Sequence, residues 1–298
     1  MTRPCKIGVQ LPEVERFVPW PEYLDLARRV ESAGYDSVWI GDHLVYDLPD
    51  GSTRGPYEAW TTLAAIAAVT ERVELGPLVA STGFHAPAML AKQAATVDSI
   101  SQGRLIAGLG AGWNRREFDA YGFPYDRRVS RFAEALAIIA PLLREGRTTF
   151  HGEFYDVDDC VLDPPPVRPG GPPIMLGSNS PRMLGIGLPV VDAWNVWWSI
   201  YDNSVERYAE VKAEVDAATP EGRTVAATAA VLVTLPGGRG RLRGESYDAQ
   251  VATVPPDDLG DHVRGLAAVG ASHLQLCLDP ITAESIDLVG EVLADLDR

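Results

Sequence analysis

Short, continuous apolar segments alternate with helix-patterned segments along the whole chain. A run that is apolar at every position predicts a strand buried on both faces, and such strands belong to parallel sheets covered by helices. Eight strands of this kind in 298 residues favour an α/β fold, a TIM (β/α)8 barrel with insertions, over a doubly wound sheet with a small second domain. They are predicted at residues 6–10, 36–41, 73–79, 104–108, 173–176, 193–196, 225–235 and 273–278.

The alternation has one interruption. Residues 148–163 contain two β-like runs around Gly152, which predict a hairpin, and residues 164–173 are rich in proline and glycine, which predicts a surface linker. We therefore expect one barrel domain over residues 1–298 with a hairpin and loop insertion at about residues 147–172.

Charge and cysteine content exclude several classes of partner. The net charge of −15 repels nucleic acid and anionic membrane surfaces, and no apolar run is long enough to span a bilayer. The start of the chain lacks the pattern of a signal peptide, and the three cysteines lack the spacing of metal ligands or paired disulfides. We expect a cytoplasmic protein that binds neither metal, membrane nor nucleic acid.

Active sites of parallel barrels lie at the carboxyl ends of the strands. In this chain those positions hold glycines, hydroxyl groups, indoles and one imidazole beside a carboxylate, which together suit a planar ligand with an anionic tail. The candidates are Asp42, His43, Ala80, Ser81, Thr82, Gly110, Ala111, Gly112, Asn114, Gly177, Ser178, Asn179 and Ser180, with Trp113 and Trp197 as candidates for the substrate pocket.

The segment around Gly108, Gly110 and Gly112 is predicted to leave a strand as bare backbone, with room for a flat ligand. The alternative is a dinucleotide-binding turn, but Trp113 stands where its third glycine would be needed. The turn at residues 177–180 opens a predicted helix, where unpaired N–H groups favour a phosphate, and Arg182 can add positive charge. Ser180 is also expected to cap that helix.

His43 directly follows a predicted strand, and an imidazole exchanges protons near neutral pH, so we interpret it as the proton-transfer residue. The other four histidines are interpreted as structural. For Asp42 the alternative is a purely structural role in the turn, and the two indoles can equally belong to the core.

These segments resemble the bacterial luciferase-like monooxygenase superfamily, specifically its deazaflavin F420-dependent oxidoreductases, over nearly the whole chain. The resemblance rests on residues 35–44, 90–104, 108–114, 173–182 and 193–195. It implies a barrel, a homodimer, a ring across the barrel mouth and a phosphate at residues 177–180. It also implies that Asp42 contacts the deazaflavin, that His43 transfers a proton, and that Ala80 to Thr82 form a bulge with a non-proline cis peptide.

One position departs from the pattern of the family's sugar-phosphate dehydrogenases. Their catalytic glutamate follows the Gly-x-Gly of the fourth strand, where this chain has Trp113, and Glu117 lies a turn further on. Oxidation of a sugar phosphate is therefore not expected.

The leading hypothesis is F420-dependent hydride transfer to or from a small organic substrate. Two alternatives remain, a monooxygenase that uses reduced FMN and oxygen, and a cofactor-binding barrel without catalysis. The loops at residues 45–55, 121–129 and 237–246 are expected to determine which substrate binds.

Overall fold

The computed structural model describes residues 3–48, 50–238 and 252–298. Within them, eight parallel strands and the two-residue strand Ala80–Ser81 form one nine-stranded sheet, in the order β3, β2, β1, β8, β7, β6, β5, β4 and Ala80–Ser81. The strands are β1 Lys6–Gln10, β2 Ser37–Ile40, β3 Glu74–Pro77, β4 Ala107–Gly110, β5 Ile174–Gly177, β6 Ala193–Val196, β7 Ala226–Thr234 and β8 Ala271–Asp279.

The sheet curves into a nearly closed barrel because its two ends meet: β3 lies at one end, and the segment that directly follows β3 pairs with the strand at the other end. β3 pairs with β2, and the two-residue segment Ala80–Ser81 that follows it pairs with Leu109 and Gly110 of β4. An isolated bridge between Leu75 and Leu105 joins the same two strand positions. The predicted barrel is confirmed, and the doubly wound alternative is wrong.

Helices cover the outside of the barrel, and many begin at a proline or a capping side chain. The Glu58 carboxylate accepts hydrogen bonds from the first turn of α2, and Ser204 caps α8. The helices are α1 Trp20–Ser32, α2 Ala59–Val69, α3 Pro87–Ile100, α4 Arg115–Tyr121, α5 Arg128–Glu145, α6 Pro181–Gly187, α7 Trp198–Tyr201, α8 Val205–Ala218, α9 Pro256–Ala268 and α10 Ala283–Leu296.

The prediction for the fourth strand was wrong by about three residues, since residues 104–108 were expected and the strand is Ala107–Gly110. Arg104 precedes the strand: its carbonyl accepts a hydrogen bond from Leu75 N, and its guanidinium donates to three carbonyls at the end of α2 and before β3, those of Ala67, Thr70 and Val73. Gly108 therefore lies inside the strand, where a Cβ atom would stand 2.2 Å from the Pro77 carbonyl oxygen.

The hairpin lies between α5 and β5, with antiparallel strands Arg147–His151 and Asp156–Val161. The Glu134 carboxylate on α5 accepts hydrogen bonds from the backbone N–H groups of residues 153–155 at the turn. The Phe154 ring lies within 4.6 Å of the Arg127 guanidinium and 4.4 Å of that of Arg131. The organisation of residues 1–298 as one domain stays a prediction.

Polar side chains occupy part of the barrel interior. His273 on β8 is 6% exposed, and its Nε2 lies 2.7 Å from Ser37 Oγ, which also accepts a hydrogen bond from Trp39 Nε1. Burial, with a smaller effect from Lys6, lowers the pKa of His273 to about 3. This imidazole is therefore neutral over the physiological range, and it was correctly interpreted as structural.

Among the described residues, no helix is long and apolar enough to cross a membrane. No group of three or more histidine, cysteine or acidic side chains in that part of the chain is arranged to hold a metal ion. Two-residue strands Tyr46–Asp47 and Thr53–Arg54 form a small ribbon inside the predicted 45–55 loop, whereas residues 239–246 of the third substrate loop lie outside the described residues.

Candidate active site

A cavity of about 480 Å³ opens at the carboxyl ends of the strands. This volume lies in the range usual for cofactor and substrate sites. Twelve of the sequence-predicted residues line it, and they come from the ends of five different strands. They are Asp42, His43, Ser81, Gly110, Ala111, Gly112, Trp113, Gly177, Ser178, Asn179, Ser180 and Trp197.

Three predicted cofactor residues do not line this cavity. Ala80 is fully buried in the wall, and the Thr82 hydroxyl donates to the Gly110 carbonyl over 3.2 Å. Asn114 caps α4 by accepting from Arg116 N, and its amide also donates to the Val45 carbonyl. Their contact with a cofactor stays a prediction.

One wall of the cavity, here called the glycine wall, combines the backbone of Gly110, Gly112 and Gly177 with the Val79 side chain, for which two of these glycines make room. A Cβ atom on Gly177 would stand 2.5 Å from a Val79 methyl group, and one on Gly110 would stand 2.9 Å from the same methyl group. Gly112 has φ +74°, and a Cβ atom there would stand 2.3 Å from Ser81 Oγ. The non-proline cis peptide joins Leu78 to Val79, just before the 80–82 segment where the resemblance had placed it.

Asp42 lies in this wall with 3% of its surface exposed. Its Oδ2 accepts a hydrogen bond from Ser81 N at 2.9 Å and lies 3.0 Å from His85 Nε2. Both contacts engage Oδ2, which leaves Oδ1 to accept from a ligand. His85 was interpreted as a structural histidine from the sequence, and it holds a candidate cofactor-binding carboxylate in place.

His43 faces the cavity from the next position, and its Nδ1 lies 3.0 Å from Glu117 Oε2 and 3.2 Å from Oε1. Glu117 belongs to α4 and is 1% exposed. Its Oε1 also accepts from Leu44 N at 2.5 Å and from Val45 N at 3.2 Å. One buried carboxylate therefore fixes both the imidazole and the loop that carries it.

Carboxylates around His43 favour its protonated form. Burial of the ring lowers the His43 pKa, because an imidazolium ion loses hydration. The hydrogen bond to Glu117, with the charges of Glu13, Glu117 and Asp42, outweighs burial and raises the pKa above the ordinary value of 6.5.

Two further polar groups face the cavity. Ser81 Oγ is buried and has no hydrogen-bond partner among the described residues. Asn195 on β6 donates from its amide nitrogen to Thr228 Oγ1 at 2.8 Å and to Gln275 Oε1 at 2.7 Å. Both Asn195 amide hydrogens are thus used, which leaves its oxygen to accept from a ligand.

A positively charged side chain that was not predicted from the sequence lines the same cavity as the predicted anion site. Arg128, the first residue of α5, lines the cavity, donates to the Gly112 carbonyl at 3.1 Å and lies over the Tyr125 ring. Arg182, the predicted cation, instead donates to Ser130 Oγ. Ser180 caps α6 as expected, by accepting from Met183 N.

Aromatic rings line the cavity near the imidazole. The Tyr46 ring lies 4.7 Å from that of His43, and Trp113, which is 46% exposed, lies 5.7 Å from it. The Trp197 and Trp198 rings are tilted by 35° to each other, with their centroids 3.7 Å apart. Tyr46 was missed from the sequence because nothing in its local pattern separates it from other loop aromatics.

The fold and this cavity define a class: a (β/α)8 barrel with a backbone-lined site at the carboxyl ends of its strands. A family model described as luciferase-like monooxygenase matches residues 6–239. The chain belongs to the luciferase-like monooxygenase family.

Individual relatives show how far this likeness extends. The phthiodiolone/phenolphthiodiolone dimycocerosates ketoreductase of Mycobacterium tuberculosis is 32% identical over 179 residues, which cover 54% of this chain and 47% of that protein. The chain thus spans about half the length of the curated relatives it matches.

Two solved structures share the fold. An F420-dependent secondary alcohol dehydrogenase, in complex with an F420–acetone adduct, covers 100% of both chains with a TM-score of 0.77 and 18% identity. The EDTA monooxygenase of Chelativorans sp. BNC1 covers 99% of this chain and 93% of its own, with a TM-score of 0.78 and 16% identity. At these identities the likeness shows the fold alone.

Proposed function

We propose that this protein is an F420-dependent oxidoreductase that transfers a hydride to or from a small organic substrate, with His43 as the proton donor or acceptor. The observation that carries the proposal is the His43 imidazole, held by a buried carboxylate in the cavity that the glycine wall also lines. The glycine wall would hold a cofactor ring, and His43 would supply the acid–base group that hydride transfer to a carbonyl requires.

The residues present suit a deazaflavin. Gly110 and Gly177 let the Val79 side chain pack against their backbone in the cavity wall, and the orphaned Ser81 hydroxyl offers a donor to a polar ring edge. Arg128 provides positive charge beside the hydroxyl-rich turn at residues 177–180 for an anionic tail. α6 has only seven residues, so this guanidinium is the stronger source of positive potential.

When bound, a reduced deazaflavin supplies two electrons and one hydrogen nucleus as a hydride. The protein's own contribution is to orient the substrate and to move one proton at His43 Nε2. In reduction that proton goes to the carbonyl oxygen as carbon receives the hydride, and in oxidation it leaves the alcohol. A ketone or its alcohol is consistent with the ketoreductase and alcohol dehydrogenase relatives.

Cofactor titration tests this proposal. Trp113 and Trp197 line the cavity, so a bound ring will quench their fluorescence. We expect saturable binding of F420 at micromolar concentration and weaker binding of FMN. Tight binding of FMN with none of F420 would contradict the proposal.

A reduced-FMN-dependent monooxygenase is the second candidate, favoured by the description of the family model and by the EDTA monooxygenase fold. Flavin and deazaflavin share ring shape and phosphate, so the same wall and anion site suit both. Oxygen consumption with reduced FMN separates the two candidates.

A barrel that binds a cofactor without catalysis is the candidate of another class. His43→Ala separates it from the enzymes, because it removes the proton-transfer group and leaves the glycine wall intact. Loss of turnover with retained cofactor affinity excludes this candidate.

We also propose a cytoplasmic homodimer with a small-molecule substrate and no nucleic-acid or membrane partner.

A further inference from the structure

We infer that Glu117 is a positioning residue: it holds the proton of His43 on Nδ1 and turns Nε2 toward the substrate. Glu117 therefore differs in role from the catalytic glutamate of the family's sugar-phosphate dehydrogenases, whose position Trp113 occupies in this chain. Its consequence for turnover rests on the proposed function, whereas the orientation itself is a property of the protein alone.

The contacts of Glu117 support a positioning role. Three groups converge on this 1% exposed carboxylate: His43 Nδ1 at 3.0 Å, Leu44 N at 2.5 Å and Val45 N at 3.2 Å. The two backbone groups can only donate, so the carboxylate oxygens are acceptors, and His43 Nδ1 must carry a hydrogen to join them. The same ring lines the cavity, so its other nitrogen is the one that faces a substrate.

Among the described residues, the elements packed around His43 place no positively charged side chain at its contact with Glu117. The titratable groups that face it are Glu117 from α4, Glu13 from the loop after β1, and Asp42 and Tyr46 from its own segment. Negative charge around the ring stabilises the imidazolium, and the anchoring at Nδ1 decides which nitrogen exchanges the catalytic proton.

This arrangement lets one residue serve either direction of the reaction. With His43 neutral and hydrogen on Nδ1, the Nε2 lone pair accepts the proton of an alcohol while carbon loses a hydride to the oxidised deazaflavin. With His43 protonated, Nε2–H gives its proton to a carbonyl oxygen while carbon receives a hydride from the reduced deazaflavin. In both cases Glu117 stays at Nδ1, on the side of the ring away from the substrate.

Nitrogen NMR of histidine-labelled protein without cofactor tests the inference directly. In the wild type we expect the neutral His43 ring to carry its hydrogen on Nδ1 and to titrate above the pH of an exposed histidine. In Glu117→Gln the side-chain amide can donate to Nδ1, so we expect the hydrogen to move to Nε2 and the titration midpoint to fall. The signals of His43 are assigned from their loss in His43→Gln.

Asp156→Asn is the matched control, because Asp156 holds Nδ1 of His151 at 2.9 Å on the exposed hairpin, away from the cavity. It should leave the His43 signals unchanged. A wild-type His43 with its hydrogen on Nε2 overturns the inference without any variant, so the test survives poor folding of Glu117→Gln. Unchanged His43 signals in a folded Glu117→Gln protein also overturn it.

Turnover measures the catalytic consequence. If the proposed function holds, Glu117→Gln lowers kcat by up to about 10²-fold, part of what acid–base catalysis contributes, with cofactor affinity retained. Glu117→Asp keeps the charge and should restore part of the rate. A protein that binds no F420 but shows the expected tautomer contradicts the proposed function alone, whereas turnover with the wrong tautomer contradicts only this inference.

Discussion

His43 and Glu117 are 74 positions apart in the chain, and their contact decides the chemistry of the site at the scale of single residues. Asp42 and His85 form a second carboxylate–imidazole pair 43 positions apart. In the first pair the imidazole faces the ligand and the carboxylate supports it; in the second pair the roles are reversed.

The raised pKa of His43 predicts the sign of the pH dependence. Reduction of a carbonyl needs the imidazolium, so its rate should be highest below the raised pKa and fall as pH rises through it. Oxidation of an alcohol needs the neutral ring and should show the opposite trend. Steady-state rates in each direction from acidic to alkaline pH check this expectation, and parallel trends in the two directions would contradict it.

Gly177 is predicted to be intolerant of any side chain. In Gly177→Ala the new methyl group would stand 2.5 Å from Val79, and overpacking of this kind costs about 1–3 kcal/mol. We expect a lower free energy of unfolding and weaker cofactor binding, measured by denaturation and fluorescence titration. Gly185→Ala is the control, because a methyl group at this position in α6 would have no atom within 4 Å, and alanine stabilises a helix by up to about 1 kcal/mol.

Residue types at the strand ends could be predicted from sequence, but their pairings could not. Asp42, His43 and Gly177 were identified because strand ends in a barrel meet at one face. Glu117, His85 and Arg128 acquire their roles from side-chain directions on helices and loops, which no local pattern encodes.

At the scale of elements, the start of α5 brings charge to the cavity. The helix begins at Arg128, whose guanidinium is fixed by the Gly112 carbonyl and the Tyr125 ring, while the neighbouring Arg127 pairs with Glu153 on the hairpin. Adjacent arginines therefore face different partners.

Arg128→Met should weaken binding of a phosphate-bearing cofactor by about tenfold to a hundredfold, the effect of losing a charged hydrogen bond. Arg127→Met is the matched control, since Arg127 does not line the cavity, and it should leave affinity unchanged. Titration at two salt concentrations measures both variants. An equal loss in the two variants would indicate damage to α5 rather than loss of an anion site.

Elements with strong periodicity were predicted closely, and those fixed by tertiary contacts were not. β1 and β6 have the predicted bounds because their apolar runs end at flanking residues that break the pattern. α4 has seven residues and lacks the proline that marks the start of α6, so it was not predicted. β4 was misplaced because the role of the Arg104 side chain, which bonds to carbonyls at the end of α2 and before β3, is a tertiary contact.

At the scale of the whole molecule, a buried histidine in the barrel interior should lower the free energy of unfolding as the pH falls. His273 has a folded pKa of about 3, below the ordinary 6.5, so the unfolded chain takes up a proton first as pH falls. The neutral, buried His273 therefore contributes fully to the free energy of unfolding above about pH 6.5. This contribution is lost as the pH falls from about 6.5 to about 3, and about 2 kcal/mol of it is lost by about pH 5.

Denaturant unfolding at neutral pH and at about pH 5 measures this loss. His273→Gln removes the ionisable group, so the difference between the two pH values should be smaller in the variant than in the wild type. His151→Gln, on the exposed hairpin, should leave the difference nearly unchanged. Equal differences in all three proteins would show that other groups cause the acid sensitivity.

The molecule is predicted to assemble as a homodimer. The resemblance to a dimeric family predicts that sedimentation equilibrium will give twice the chain mass of 32.2 kDa. A mass of one chain at micromolar concentration would contradict the predicted homodimer.

β3 pairs with β2 on one side of the barrel seam. Among the described residues, two short contacts connect β3 and the segment after it to β4 on the other side: the Leu75–Leu105 bridge and the pairing of Ala80–Ser81. This seam lies directly behind the glycine wall. We expect a ligand bound in the cavity to contact residues on both sides of this seam and to stabilise it. Amide exchange at residues 78–81 should therefore slow when the site is occupied.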